Sequence, residues 1–412
     1  MPNFQKKTIY DALGRGPVHP FPARMAPGIA LELMPKKQKP MRVLDPMMGS
    51  GTVLAIARSQ GHKAVGFDLD PLAVLISRVW MASCDRDEVR YQAQESMETA
   101  RTILKSLPQS KAYPRKADDE TKTFLRYWFD ERARCQLASL ALAIGRVPSE
   151  ATRNILWCAF SRLIITKQAG ASRAMDLSHS RPHRVFEEAP AKPFPRFLQA
   201  VDLVLENTIN REKECRGPVP SIQNGDARRL PLKDGSIDLV LTSPPYLNAI
   251  DYLRCSKFSL VWMGYKIGKL RRLRADSIGT EAAGSASLSN TQIADIVHAL
   301  RLHPRLSVKN TSILARYIDD MRRAIGEVSR VLTPTGKAVY VVGENTIRGT
   351  YVRTAVIVSK LAKSEGLVLQ DRRTRTLPPN RRYMPPPSAR GVNPIAARMR
   401  REIVLTFCKR AA

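Results

Sequence analysis

The stretch from residue 41 to residue 80 admits few folds. MRVLD is a short apolar run ending on an acid, and PMMGSGT is a small-residue turn. VLAIARSQG reads as a helix that stops at Gly61, and HKAVGFDLD as a second strand before another helix from Pro71. Strand, glycine turn, helix, strand and acid, in that order, open a parallel, doubly wound sheet. Gly49 and Gly51 let the backbone approach a ligand closely. Asp68 lies about 20 residues beyond the turn, the spacing expected of a carboxylate gripping ribose hydroxyls.

Two phosphate-binding readings fail here. GSGT has no lysine, which a P-loop requires, and GSGTVLA lacks the third glycine of a dinucleotide fingerprint. Asp45, at the strand tip before the turn, would repel a pyrophosphate but welcome a cation. S-adenosyl-L-methionine carries an ammonium and a sulfonium and no phosphate, so the turn favours that cofactor.

A second stretch, DLVLTSPPYLNAIDY at 238–252, opens on a buried strand expected at 237–241. Pro244 and Pro245 have no backbone N–H, so the sheet ladder cannot continue through them. The result is a stiff loop at the carboxyl end of a strand, where an open α/β sheet places its ligand. The loop offers the Ser243 hydroxyl, backbone carbonyls and the Tyr246 ring, but no strong acid, base or metal ligand. Acceptors beside an aromatic plate suit a flat, amine-bearing heterocycle. A strand followed by a Pro-Pro turn with a packed tyrosine is the plain alternative.

The 67 Lys and Arg against 37 Asp and Glu leave a net charge of +30, which points to a polyanion, most simply nucleic acid. The six cysteines are scattered, with no CxxC pair, and fit free thiols in a reducing cytoplasm. The start of the chain has no apolar signal core, and no run is long enough to span a bilayer. His179 and His183 have no cysteine or acid at matching spacing, so no metal site is expected.

Residues 85–215 read as a helical insertion, with helices over 85–107, 121–144, 149–166 and 197–215. A strand is expected near 221–223, with Asp226 at its tip placed for a nucleobase amine, though Asn-Gly-Asp is also ordinary turn chemistry. Residues 263–312 read as a mobile loop carrying a basic cluster at 266–274. A helix is expected at 315–331, a turn at 334–336, strands at 337–342, 367–375 and 402–409, and a helix at 352–365.

DPMMGSGT, GFDLDP, GDARRLPL and LTSPPY, in that order, resemble the motif set of amino-directed DNA methyltransferases. HPFPARMAP is similar to the segment that precedes the glycine motif in that family and closes over the methionine end of the cofactor. The resemblance covers roughly residues 17–80 and 220–262. It implies a class I S-adenosyl-L-methionine-dependent methyltransferase fold, α/β and Rossmann-like, with a seven-stranded mostly parallel sheet. The catalytic domain would comprise 1–84 and 216–412, with 85–215 as the helical insertion and a candidate DNA-recognition region.

By the same resemblance, Asp45, Pro46, Met47, Gly49, Gly51 and Thr52 would bind the methionine part of the cofactor. Asp68 would hold the ribose and Asp226 would contact the adenine ring. Ser243, Pro244, Pro245 and Tyr246 would hold a flipped target base. SPPY, rather than DPPY or NPPY, is associated mainly with methylation of the cytosine N4 amine; adenine N6 is the alternative. Met47 stands where the family usually has Phe, which alters the cofactor's packing there. The implied partner is double-stranded DNA, in a cytoplasmic protein associated with the nucleoid through that DNA. No nuclease motif is present, so a restriction endonuclease partner would be another chain.

Two rivals differ in class. An RNA base-amine methyltransferase would usually carry DPPY and a separate RNA-binding domain. A non-catalytic nucleic-acid-binding protein on the same fold would not need intact SPPY and glycine motifs. The covalent cysteine route of ring-carbon methylation needs a thiol that this loop lacks.

Overall fold

The computed structural model describes residues 7–21, 24–35, 39–175, 177, 182–209, 216–245, 247, 252–280, 290–300, 307–347, 350–377 and 401–410. Two short helices, α1 (Ile9–Leu13) and α2 (Pro27–Leu33), precede β1 (Arg42–Asp45), α3 (Thr52–Ser59), β2 (Lys63–Asp68) and α4 (Pro71–Met81). The chain then runs through α5 (Arg86–Ser106), α6 (Asp119–Trp128), α7 (Glu131–Ile144), α8 (Glu150–Ile164) and α9 (Pro193–Asn207). It resumes with β3 (Ser221–Asn224), β4 (Ile237–Thr242), α10 (Tyr252–Leu260), α11 (Ile267–Asp276), α12 (Asn290–Ala299) and α13 (Val308–Val331). Last come β5 (Leu332–Gly343), the hairpin of β6 (Asn345–Ile347) and β7 (Thr350–Val352), α14 (Thr354–Ser364), β8 (Leu367–Thr376) and β9 (Arg401–Lys409).

Among the described residues, seven strands form one sheet in the order β3-β2-β1-β4-β5-β9-β8. β9 runs antiparallel to both its neighbours, and the other pairs are parallel. The chain lays down β1, β2 and β3 outward in one direction, then returns to set β4 against the other side of β1. That reversal is a topological switch point, and it opens a crevice at the carboxyl ends of β1 and β4.

β1 and β4 are buried because helices cover both faces: Val43, Leu44, Val240 and Leu241 are fully buried. At the entry end the Arg42 guanidinium and backbone N–H both donate to the Asp238 carboxylate, at 3.0 and 2.8 Å, pinning the two strands in register. One face carries Ile318, Ile325 and Ile357 against Phe67 and Val240. On the other, Leu54 and Trp80 share a core with Leu137, Phe160 and Leu163 of the helical stretch and with Phe258 and Trp262 beyond β4. The inserted helices therefore pack as part of the sheet's own covering layer.

Several elements depart from the sequence reading. The helix expected over 121–144 is two helices. Phe129 turns extended and Asp130 restarts the chain, its carboxylate accepting the Ala133 N–H at 2.9 Å as the cap of α7. The helix expected over 197–215 begins at Pro193 and ends at Asn207, where Thr208 is extended; residues 210–215 lie outside the described residues. The loop expected at 263–312 contains α11 and α12, and the basic cluster sits on α11, which buried Leu270 anchors with Ile267 and Leu273 packed beside it. The turn expected at 334–336 lies within β5 as an irregularity: pairing jumps from Ile237 with Leu332 to Leu239 with Lys337. The helix expected from 315 begins at Val308, capped by Ser307.

No helix among the described residues is long and apolar enough to cross a membrane. Nor do the described residues hold a group of three or more His, Cys, Asp or Glu side chains placed to bind a metal. His183 is exposed, and His179 lies outside the described residues.

Candidate active site

The parallel pairing of β1 with β4 brings their carboxyl ends side by side. Asp45, the last residue of β1, is buried at 3% exposure. Its Oδ1 accepts the Thr242 hydroxyl at 2.8 Å and the Met47 N–H at 3.2 Å. Burial pushes its carboxyl up to about 7; the Thr242 and Met47 hydrogen bonds oppose that rise, and nearby Asp68 adds to it.

The turn after β1 depends on its glycines. Gly51 caps α3 in the left-handed region at φ +83°, and a Cβ there would meet Ser77 Oγ at 2.8 Å. Gly49 has φ +51°. Its carbonyl accepts the Ser77 hydroxyl at 3.0 Å, and its N–H donates to Asp68 Oδ2 at 2.8 Å. Pro46 and Gly51 are buried, and Met47 is half-buried against the face formed by Phe67 and Val240. Ser50 Oγ and Thr52 Oγ1 are buried, with no hydrogen-bond partner among the described residues. Two buried hydroxyls without a partner in one turn are unusual for a purely structural turn.

Asp68, at the tip of β2, also accepts the Asp70 N–H, on Oδ1 at 2.9 Å. Burial raises it above the usual carboxylate value against these backbone donors. Each of its oxygens keeps a lone pair for a further donor. Asn224 at the tip of β3 donates to the Asp68 and Leu69 carbonyls, at 2.9 and 3.1 Å, tying the second and third strand tips together. Two residues on, Asp226 is gripped by Arg228, which donates from Nε at 3.0 Å and from Nη2 at 2.8 Å. Arg228 also reaches buried Asp320 on α13 at 2.5 Å. Burial works against the Arg228 charge, but the bonds to both aspartates outweigh it and hold the guanidinium above its usual value. Asp226 is therefore a held carboxylate with about a third of its side chain exposed.

Beyond β4, Pro244 is buried, and Ser243 and Pro245 are half-buried. Ser243 gives its hydroxyl proton to the Val341 carbonyl of β5 at 3.0 Å. That bond turns the serine oxygen into an oriented acceptor with free lone pairs. Tyr246 lies outside the described residues.

The structure thus brings the Asp45–Thr52 turn, Asp68 and the 243–245 loop to one crevice, with Asp226 at the far strand tip. It adds residues the sequence reading did not single out: Thr242, Ser50, Ser77, Asp70 and Asn224. Thr242 is the residue before SPPY and had a signal, a hydroxyl at a strand tip. Ser77 had none, because only the approach of α4 places it under Gly51.

The acids at the β1 and β2 tips are both raised by burial, and no ion pair to either is formed among the described residues. Counted within the sheet, the strand order is 3-2-1-4-5-7-6 with the seventh strand antiparallel. This strand order, with its one reversed strand, is the fold of the class I S-adenosyl-L-methionine-dependent methyltransferases.

No family model matches the chain. It is similar to the Type II methyltransferase M.MvaI of Kocuria varians, 23% identical over 373 residues, which cover 84% of this chain and 80% of that protein. It is also similar to the Type II methyltransferase M.BsoBI of Geobacillus stearothermophilus, 23% identical over 294 residues; these cover 64% of this chain but only 54% of that relative. Among solved structures, a TehB-like SAM-dependent methyltransferase from Corynebacterium glutamicum aligns over 93% of this chain and 86% of its own, at 10% identity and a TM-score of 0.29.

Proposed function

We propose that this chain is a site-specific DNA methyltransferase that moves a methyl group to the exocyclic amine of a flipped base, cytosine N4 in the first instance. The observation that carries the reading is the bond from Thr242 to Asp45. It joins the tip of the cofactor strand to the residue that opens the Ser-Pro-Pro-Tyr loop. A cofactor held at the first and a base held at the second would be neighbours. The Type II methyltransferase names of the similar proteins support DNA as the substrate.

Asp45, Pro46, Met47, Gly49, Gly51 and Thr52 are assigned to the methionine end of the cofactor, Asp68 to the ribose hydroxyls, and Asp226 to the adenine edge. When bound, the cofactor supplies an electrophilic methyl on its sulfonium. An exocyclic amine is a poor nucleophile because its lone pair is conjugated into the ring. The Ser243 oxygen, fixed by Val341, and the Pro244 carbonyl would each accept one amine hydrogen. That favours a pyramidal nitrogen and aims its lone pair along the transfer line. Tyr246 would stack on the ring once the base has left the duplex.

The DNA surface is assigned to α11 together with the helical insertion. Lys266, Lys269, Arg271 and Arg272 are exposed on and beside α11. The helix docks on α6, where the Ile267 N–H donates to Thr121 Oγ1 at 3.1 Å and Arg271 pairs with Glu120. α11, the second helix after the 243–245 loop, is thereby joined to α6 of the insertion. Mass spectrometry of nucleosides from duplex DNA treated with enzyme and cofactor tests the reading. N4-methylcytosine is expected; N6-methyladenine alone would keep the mechanism and change the base, and 5-methylcytosine alone would overturn it.

A further inference from the structure

Residues 18–21 run along the mouth of the glycine turn without secondary structure of their own. Pro20 has no N–H to offer, and Val18 and His19 are fully buried, so their carbonyls must find donors elsewhere. α8, more than 130 residues away in sequence, supplies the donors for Val18. Arg162 Nη1 donates to the Val18 carbonyl at 2.9 Å, and Cys158 Sγ lies 3.9 Å from the same oxygen. Arg24 donates to the His19 carbonyl.

The His19 ring joins the same helix. Its Nε2 lies 2.9 Å from Ser161 Oγ, and Ser161 in turn donates to Ser259 Oγ of α10 at 2.9 Å. His19, Ser161 and Ser259 thus form one chain of side-chain hydrogen bonds. Burial, with Arg162 and Arg24 close by, holds His19 neutral. His19, Ser161 and Ser259 are all fully buried. Two residues further on, the buried Phe21 ring comes within 3.7 Å of the position a Cβ would take on Gly49.

We propose that Ser161 and Arg162 on α8 are positioning residues for the cofactor: they hold Val18 and His19 so that Phe21 lies over the glycine turn. The helical insertion is then part of the cofactor site, in addition to any contact it makes with DNA. The inference rests on the reading of that turn as the place where the methionine end of the cofactor sits. A staple that serves stability alone would use the same bonds, so the two must be separated by what each bond changes.

Calorimetric titration with S-adenosyl-L-methionine, alongside fluorescence anisotropy with duplex DNA and thermal unfolding, separates them. Ser161→Ala and Arg162→Met should each weaken cofactor binding about tenfold. The cofactor KM should rise in proportion while kcat and DNA affinity hold. Arg162→Lys should recover most of the affinity, since a lysine can still donate to the Val18 carbonyl. Unchanged cofactor affinity in both variants would overturn the proposal. So would a loss matched by equal losses in DNA affinity and unfolding temperature, which marks a loosened core. Should Arg162→Met fail to fold, Ser161→Ala and the pair His19→Gln and His19→Ala decide, the glutamine retaining affinity and the alanine losing it. Gly51→Val reports on the turn itself: normal cofactor binding by that variant would remove the turn from the site and the inference with it.

Discussion

Ser256 donates its hydroxyl proton to Asp70 at 2.5 Å, and both side chains are buried. The same carboxylate accepts the Leu72 N–H at 2.9 Å as the N-cap of α4. One acid thus ties the exit of β2 to α10, the helix that follows the 243–245 loop. Asp70→Ala removes a cap and a buried hydrogen bond together, and is expected to lower the unfolding free energy by about 2–3 kcal/mol. Asp70→Asn keeps an acceptor for Leu72 and a partner for Ser256, and should cost less than about 1 kcal/mol. Urea denaturation measures both; equal losses would show that neither bond is the source.

Stability should respond to pH from both sides. Burial raises Asp45 and Asp70 to about 7, above the 3.8 of an exposed aspartate. The folded chain therefore holds those protons more tightly than the unfolded chain. Their contribution is full below pH 3.8 and is lost as pH rises through about 7. His19 has the opposite sign. Its folded value lies well below 6.5, so its contribution is present above pH 6.5 and is lost as the solution becomes more acid. Asp45→Asn should flatten the decline toward neutral pH, and His19→Gln the decline in acid, in unfolding midpoints measured without cofactor.

The same Asp45 shift links cofactor binding to protons. Positive charge placed beside Asp45 favours its ionised form, so binding should expel a proton wherever the free protein is still protonated there. Calorimetry in buffers of different ionisation enthalpy should read net proton release near about pH 6 and little near about pH 9. Release that persists in Asp45→Asn would assign the proton elsewhere.

Ser243→Ala deletes the bond to Val341 and the acceptor it orients. The stability loss should stay near about 1 kcal/mol, as for one neutral hydrogen bond. If the serine acts on the base as proposed, the loss in kcat should be about tenfold to a hundredfold, with the cofactor KM unchanged. Steady-state kinetics on a duplex substrate gives both numbers. A variant with full kcat would take the hydroxyl out of the chemistry.

The exposed cations of α11 should set the salt dependence of DNA binding. The plot of log affinity against log salt is expected to fall with a slope near about −0.9 for each phosphate contacted. Lys269→Glu and Arg272→Glu should each make that slope shallower by about one. An unchanged slope in both would move the DNA surface off this helix.

Much of the crevice was legible because its residues punctuate the chain. Gly49, Gly51, Pro244 and Pro245 stop a strand or open a helix, and Asp45 and Asp68 end apolar runs, so each lies at a strand tip by its place in the pattern. What joins them was not legible. The Thr242 bond to Asp45 spans 197 positions and exists only because β4 returns to β1. The pattern hides α11 because the stretch around it is rich in Gly, Ser and Arg, and its seat on Leu270 and α6 is tertiary. The break at Phe129 was hidden by helical spacing on both sides; Asp130, a strong cap, was the one local sign. The bond from His19 to Ser161 has no counterpart in local pattern at all.

β9 bears on how the molecule comes into being. It is the last of the described strands to be synthesised, yet it lies between β5 and β8, and β8 touches the sheet only through it. A growing chain can therefore pair β1 with β2 and β4 with β5 early, while β8 waits without a partner until residues 401–409 emerge. Such late, distant pairing is slow and leaves an open strand edge in the meantime. Translation that stalls before residue 401 would release a chain with every motif of its crevice already made and two strands of its sheet unformed.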